Sequence, residues 1–468
     1  MTKYGIKDSF DLWEAAARIK DGRLSSAELT QNCLSQISLH GAKLGAFSEV
    51  FAAKAMAVAQ ARDAEAKAGS FVGPLHGVPV AVKDLLDIEG HVTAAGSLTR
   101  SSRAAADSTA TVVRRLVGAG AVIIGKASLV EFAFGGWGTN QGWGTPWNPW
   151  DLDVHRSPGG SSSGSAVAVA AGMAMGAIGT DTGGSIRIPS AFCGLTGLKV
   201  TEGRVSNSGM SFVSRTLDTV GPMAWSARDL ALLLDAIHGP DPHDPKTLRV
   251  LPENFTSAIN DFPQNLRIAV PRSEDLGDTD ADVMPAFWKA LDVLSRLRAS
   301  TFEMGESMDF AAEQEATGTI IASEAYAECG RDAESDIAGD PASRGRVLKG
   351  ASIPAHRYAA ALAERRVRRA SFHRRFEAFD LIAMPTLPIS ARPVDALDEN
   401  DLSPSRLTRF ASYFGLCAIA VPCGFDAAGL PLSIQLVAAP YRERLLISVA
   451  HAIQLQTDWH LARPSGLA

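Results

Sequence analysis

Residues Ser157–Thr201 read SPGGSSSGSAVAVAAGMAMGAIGTDTGGSIRIPSAFCGLTGLKVT. From Ser157 to Thr180 the stretch carries no charge. A Gly/Ser loop opens it, and a second runs from Gly179 to Arg187. Between them lie almost only Ala, Gly, Val and Met. Small residues let backbones approach closely, and the glycine pairs reach conformations closed to other residues. The pattern predicts a buried, tightly packed segment that presents two hydroxyl-bearing turns to one site.

Upstream, GPLHGVPVAVKDLLDIEG begins at Gly73. Val78–Val82 is a short apolar run bounded by Gly and Pro, which predicts a buried strand. It ends in Lys83-Asp84, and a lysine there is either a solvated strand end or a buried functional amine. Residues 108–126 read as helix then strand, and Ser128–Phe134 as a short helix capped by Ser128. Four tryptophans follow in a Gly/Asn/Pro loop: Trp137, Trp143, Trp147 and Trp150. They either pack onto the core or line a cleft, with Trp137 the strongest cleft candidate.

Residues 8–70 read as helices, with a capping box at Ser25 and Glu28. Strands are expected at Leu266–Val270, Asp380–Met384, Cys417–Val421 and Leu432–Val437. Helices are expected near 226–237, through 275–375, over 403–416 and at 442–455. Short strands alternating with helices argue an α/β fold with a mostly parallel or mixed sheet.

The 468 residues carry a net charge of −6, with no basic run that would attract nucleic acid or an anionic membrane. Five cysteines, an odd count without CxxC spacing, argue against a disulfide framework or a zinc site and fit a reducing, cytoplasmic setting. The N-terminus, MTKYGIKDSFDLWEAAARIKDG, is amphipathic rather than signal-like. The longest apolar run, Ala166–Ile178, has 13 residues, short of the roughly 20 that a membrane span needs.

Nucleotide and metal motifs are absent: no GxxxxGK[ST], no GxGxxG at a strand–helix junction, no HExxH. Gly160–Gly164 matches the GxSxG nucleophile elbow with Ser162 at its centre. That elbow needs a strand immediately before it, and Asp153–Pro158 is charged and interrupted by proline. Gly183-Gly184-Ser185 is a better candidate, because glycines ahead of a serine let backbone N–H groups converge on one point, as an oxyanion hole requires. A serine needs a base. No histidine is close in sequence, but a lysine serves once burial lowers its pKa from about 10.4. A second serine can relay the proton.

GVPVAVKDLLDIEG, SPGGSSSGSA, GTDTGGSIRIPSAFCGLTGLKVTEGRVS, LDTVGP at 217–222 and VPCGFDAAGLPLSIQLVA at 421–438 together resemble the amidase signature family. The resemblance spans roughly residues 8–455 and includes the 24-residue interval from Ser161 to Ser185. It implies one domain with a mixed central β-sheet covered by helices on both sides. A helical N-terminal region (8–70), a motif-bearing core (71–240 and 376–455) and a variable helical middle (241–375) would divide it. The resemblance further implies a Ser–cisSer–Lys triad: Ser185 as nucleophile, Ser161 as relay after a cis peptide bond, and Lys83 as base. Backbone N–H groups of Thr182, Gly183, Gly184 and Ser185 would hold the oxyanion. Ser162 and Thr180 would hydrogen-bond near Lys83, and Asp181 with Arg187 would brace the nucleophile loop. Phe134, Gly135, Gly136 and Trp137 would meet substrate. Ser163 departs from the family, which often has glycine there.

The activity so implied is hydrolysis of a small or aryl carboxylic acid amide through an acyl-enzyme on Ser185. No cofactor or metal, no nucleic acid and no membrane would be involved, and a homodimer is the default assembly. The alternative is the A component of a tRNA-dependent amidotransferase, which frees ammonia from glutamine for a partner. The tyrosine-poor segment HRYAAALAERRVRRASFHRRFEAFD favours the free-standing enzyme.

Overall fold

The computed structural model describes residues 10–467. The first nine residues of the amphipathic N-terminal stretch therefore lie outside the described residues. The small-residue stretch folds as predicted from its composition: between Ser157 and Thr201 every residue is buried except Gly172, Met175 and Gly183. It forms a helix, Ser163–Ala170, then a strand, then a short helix, Arg187–Phe192. A Cβ on Gly164 would lie 2.3 Å from the Ala46 carbonyl oxygen and 2.5 Å from Ser128 N. Only glycine permits the helix to seat that closely on its neighbours.

Eleven strands build one sheet: β1 (Phe47–Val50), β2 (Pro79–Lys83), β3 (Val122–Ala127), β4 (Gly176–Asp181), β5 (Thr196–Lys199), β6 (Thr219–Ala224), β7 (Arg267–Val270), β8 (Ser300–Glu303), β9 (Leu381–Pro385), β10 (Cys417–Phe425) and β11 (Pro431–Ala438). Their order is β1-β3-β2-β4-β6-β5-β10-β11-β9-β7-β8. β2 runs parallel to β3 and β4, and β7 to β8 and β9; the remaining pairs are antiparallel. This is a single-domain α/β fold whose mixed sheet is flanked by helices. β2 and β4 are neighbours in parallel register, with Val82 opposite Ile178. Their C-terminal ends, Lys83 and Asp181, therefore reach the same edge of the sheet, where open parallel sheets bind ligands.

Two local readings are corrected. Ser128–Phe134 is not a helix beyond a single 3₁₀ turn, Glu131–Ala133, in which Phe132 and Ala133 adopt left-handed φ of 53° and 55°. Its backbone donors are drawn outward instead: Ser128 N–H to Ala46 O, Val130 N–H to Ser161 O and Phe132 N–H to Ala95 O. Of residues 403–416 only Arg409–Tyr413 is α-helical, after a 3₁₀ turn at Ser403–Ser405. Thr408 breaks the run because its hydroxyl donates to Gly183 O and its carbonyl accepts from Arg187. The edge strands β1 and β8 escape a sequence reading, since both are short and half-exposed to fully exposed.

Candidate active site

Lys83 closes β2 with no accessible surface. The solvated-strand-end reading is thereby excluded. Its Nζ donates to Ser161 Oγ and to Thr180 Oγ1, each at 2.8 Å. Burial drives the ammonium pKa down to about 7, against the opposing pull of Asp218 and Asp181. The peptide bond between Gly160 and Ser161 is cis.

Ser162 does not reach Lys83. Its hydroxyl donates to Thr180 O and accepts from Thr180 N–H, both at 3.2 Å, which ties the first serine turn to β4. Loop rather than strand precedes it, so no nucleophile elbow forms. The Ser162 N–H donates to Ser185 O at 3.2 Å, which brings the second turn against the first.

That second turn is held from below by Asp181. Its carboxylate accepts from Gly184 N–H at 2.7 Å, from Ile186 N–H at 3.3 Å, and from Arg187 Nε and Nη2 at 3.0 Å each. Burial works to raise the Asp181 pKa, yet Arg187 and the loop amides hold it below the usual carboxylate range. The Gly184 N–H, expected among the oxyanion donors, is instead turned inward to this carboxylate. Gly184 sits at φ 131°, and a Cβ there would lie 2.3 Å from Thr408 Oγ1. Arg187 also reaches Thr408 O and Gln435 Oε1. Replacing Arg187 by Met is expected to cost about 3–5 kcal/mol of stability, since it strands a buried carboxylate. Urea unfolding monitored by circular dichroism measures this loss.

Asp218 was not among the sequence candidates. Its Oδ1 accepts the Thr182 hydroxyl, and its Oδ2 accepts Val213 N–H at 2.9 Å and Ser214 N–H at 3.0 Å. Burial lifts its pKa to about 6, partly offset by the Thr182 contact and by Lys83. It lies in the LDTVGP phrase, whose aspartate, next to an apolar strand start, was the available signal.

Ser185 is 9% exposed and borders a cavity of about 40 Å³ shared with Phe134, Gly135, Gly136, Trp137, Thr182 and Gly183. All four residues expected to meet substrate therefore line the same cavity as the serine. Trp137 is both packed and cleft-lining: it stacks on Phe192 and donates from Nε1 to Asp401 O. An outer cavity of about 590 Å³ adjoins the inner one through Phe134, Arg346, Leu402 and Arg409. Neither arginine was anticipated. Among the described residues no cluster of three or more His, Cys, Asp or Glu could hold a metal ion, and no helix is long and apolar enough to cross a membrane.

The chain is similar over nearly its full length to proteins described as the A component of glutamyl-tRNA(Gln) amidotransferase. The Chloroflexus aurantiacus protein is 36% identical, covering 96% of this chain and 97% of its own. That of Halorhodospira halophila is 37% identical over 97% and 98%. Among solved structures, a chain of a vestigial protein complex described as revealing the evolutionary origins of an s-triazine catabolic enzyme superposes with a TM-score of 0.90 at 32% identity, covering 97% of this chain and all of that one. The peptide amidase of Stenotrophomonas maltophilia gives 0.83 at 31%, covering 98% and 99%.

These relatives overturn the expectation of a free-standing small-amide or aryl-amide hydrolase, and with it that of a chain with only a small-molecule substrate and no nucleic-acid partner. The tyrosine-poor segment misled because it forms an outer helix, Ala355–Arg374, in which only Arg365 and Phe372 are buried. Such a surface is not constrained by the chemistry at the strand ends. Net charge misled because it speaks only to this chain's own pull on a polyanion. The family model described as Amidase matches residues 28–447, and the chain belongs to the amidase family.

Proposed function

We propose that this chain is the glutamine-hydrolysing component of a tRNA-dependent amidotransferase, releasing ammonia from glutamine for use by partner proteins. The observation that carries the reading is end-to-end similarity to the A components of such enzymes at 36–37% identity. The buried Lys83–Ser161 contact, together with a Ser185 that lines the inner cavity, supplies chemistry suited to it.

In this reading neutral Lys83 uses its nitrogen lone pair to take the Ser161 proton, while Ser161 takes that of Ser185. The Ser185 oxygen attacks the side-chain amide carbon. The oxygen of that amide becomes an oxyanion beside the N–H groups of Thr182, Gly183 and Ser185. Preorganised donors of this kind are worth about 3–4 kcal/mol each at the transition state. Protonated Lys83 returns the proton through Ser161 to the leaving nitrogen, which departs as ammonia and leaves an ester on Ser185. Water attacks the ester by the same relay and releases glutamate. Asp181 and Arg187 act as positioning residues by fixing the nucleophile turn. Asp218 positions Thr182, and its negative charge steadies the Lys83 ammonium formed midway.

The test is ammonia release from glutamine by the purified chain, alone and with candidate partner proteins from the same genome. Glutamine turnover that rises when partners and charged tRNA are added is the expected result. Rapid hydrolysis of simple amides, indifferent to partners and without glutamine turnover, would refute the proposal.

A further inference from the structure

The inner cavity has two cations in its wall, Arg346 and Arg409. Arg346 is already neutralised: its Nη2 pairs with Glu399 Oε2 at 2.8 Å, and its Nη1 donates to Phe134 O. Glu399 also accepts the Thr139 hydroxyl. The one acid of the inner wall, Asp401, accepts from Ser403 N–H at 2.9 Å and from the Ser403 hydroxyl. Arg409 has no such match. Among the described residues its side chain makes one hydrogen bond, from Nη1 to the Gln314 carbonyl at 3.2 Å, and no carboxylate lies within ion-pair distance. A cation in a small cavity without a counter-charge is costly. Burial and the nearby Arg346 lower its pKa, but only to about 10, so it stays charged at neutral pH.

The position of Arg409 is tightly set. A Cβ placed on Gly183 would lie 3.2 Å from Arg409 Cγ and 3.7 Å from its Nε, so the side chain runs along the oxyanion loop. The preceding residue, Thr408, donates to Gly183 O at 2.7 Å and accepts from Arg187 at 2.9 Å. The following residue, Phe410, is fully buried. The nucleophile turn and the base of Arg409 are thus one rigid unit, the arrangement that positions a substrate group against a reacting carbon.

We propose that Arg409 binds a carboxylate on the acyl half of the substrate and so selects anionic over neutral amides. Under the glutaminase reading, on which this rests for its natural ligand, that group is the α-carboxylate of glutamine. The guanidinium presents parallel N–H donors to the two carboxylate oxygens.

The experiment compares glutaramate, the glutamine skeleton without its amino group, with pentanamide, its neutral counterpart, in the full chain. Wild type is expected to prefer glutaramate by roughly 100-fold in kcat/KM, the worth of a desolvated charge-assisted contact. In Arg409→Leu the ratio should fall to within about threefold of one, and Arg409→Lys should recover part of it through charge without the fork. Calorimetric binding of glutarate to wild type and to Arg409→Lys reads the same contact without turnover, and should be weaker in the variant. A wild-type ratio near one, a preference that survives Arg409→Leu, or no glutarate binding to wild type would each overturn the proposal. If glutamine is not hydrolysed with any partner while an Arg409-dependent preference for glutaramate persists, the glutaminase reading falls and the carboxylate site stands.

Discussion

Ser185→Ala is expected to abolish ammonia release from glutamine and from every other amide tried, lowering kcat on the order of 10⁴-fold or more. The loss is chemical rather than structural. The Ser185 hydroxyl has no hydrogen-bond partner among the described residues, so its removal leaves stability within about 0.5 kcal/mol of wild type. Adding Ser161→Ala to Ser185→Ala should cost little more, because residues acting as one relay are not additive. Ser162→Ala is the informative contrast. Its hydroxyl bridges the Thr180 amide and carbonyl and touches neither Lys83 nor the cavity. That variant should lose about 1 kcal/mol of stability and keep measurable turnover. Full activity in Ser185→Ala, or complete inactivity in a folded Ser162→Ala, would reassign the nucleophile.

Lys83→Met is expected to reduce kcat/KM by roughly 10³-fold, the usual scale of general acid–base catalysis, with the fold retained by circular dichroism. Methionine keeps the length of the stem in a site with no accessible surface. The decisive readout is the pH profile. The relay needs the amine neutral, and burial places its pKa at about 7. Activity should therefore fall about tenfold per unit as pH drops below 7 and level off above it. An ordinary exposed lysine would put that rise near pH 10.4, far outside the working range. The acid limb should vanish in Lys83→Met. A wild-type profile flat from about pH 6 to 9, or an unchanged limb in the variant, would remove Lys83 from the role of base.

The misreadings have a common physical origin. At Ser128–Phe134 local propensity suggests a helix, but the segment's donors are claimed by Ala46, Ala95 and Ser161, residues remote in sequence. Asp218 and Arg409 look like ordinary loop and helix charges. Their meaning depends on what lies opposite them: the buried Thr182 hydroxyl for one, an unmatched cavity wall for the other. The choice between a free amidase and a component of a larger enzyme rested on the outer helix Ala355–Arg374, whose exposed face is free to vary while the chemistry stays fixed.

What the sequence determined by itself was the buried, small-residue segment and the two serine turns. Glycine in such a turn answers a local demand of the backbone, as the φ of 131° at Gly184 illustrates. The resemblance of its long motifs then named Lys83, Ser161 and Ser185 together. Tertiary structure alone decided that Lys83 is sealed from water, because parallel β2 and β4 bring its amine to Thr180 and to the serine turn from a distant part of the chain. It alone turned the Gly184 amide inward to Asp181, and it alone set Arg409 uncompensated beside Gly183. Burial, pairing and charge balance are properties of neighbours in space, and in this chain those neighbours come from segments as far apart as residues 83 and 409.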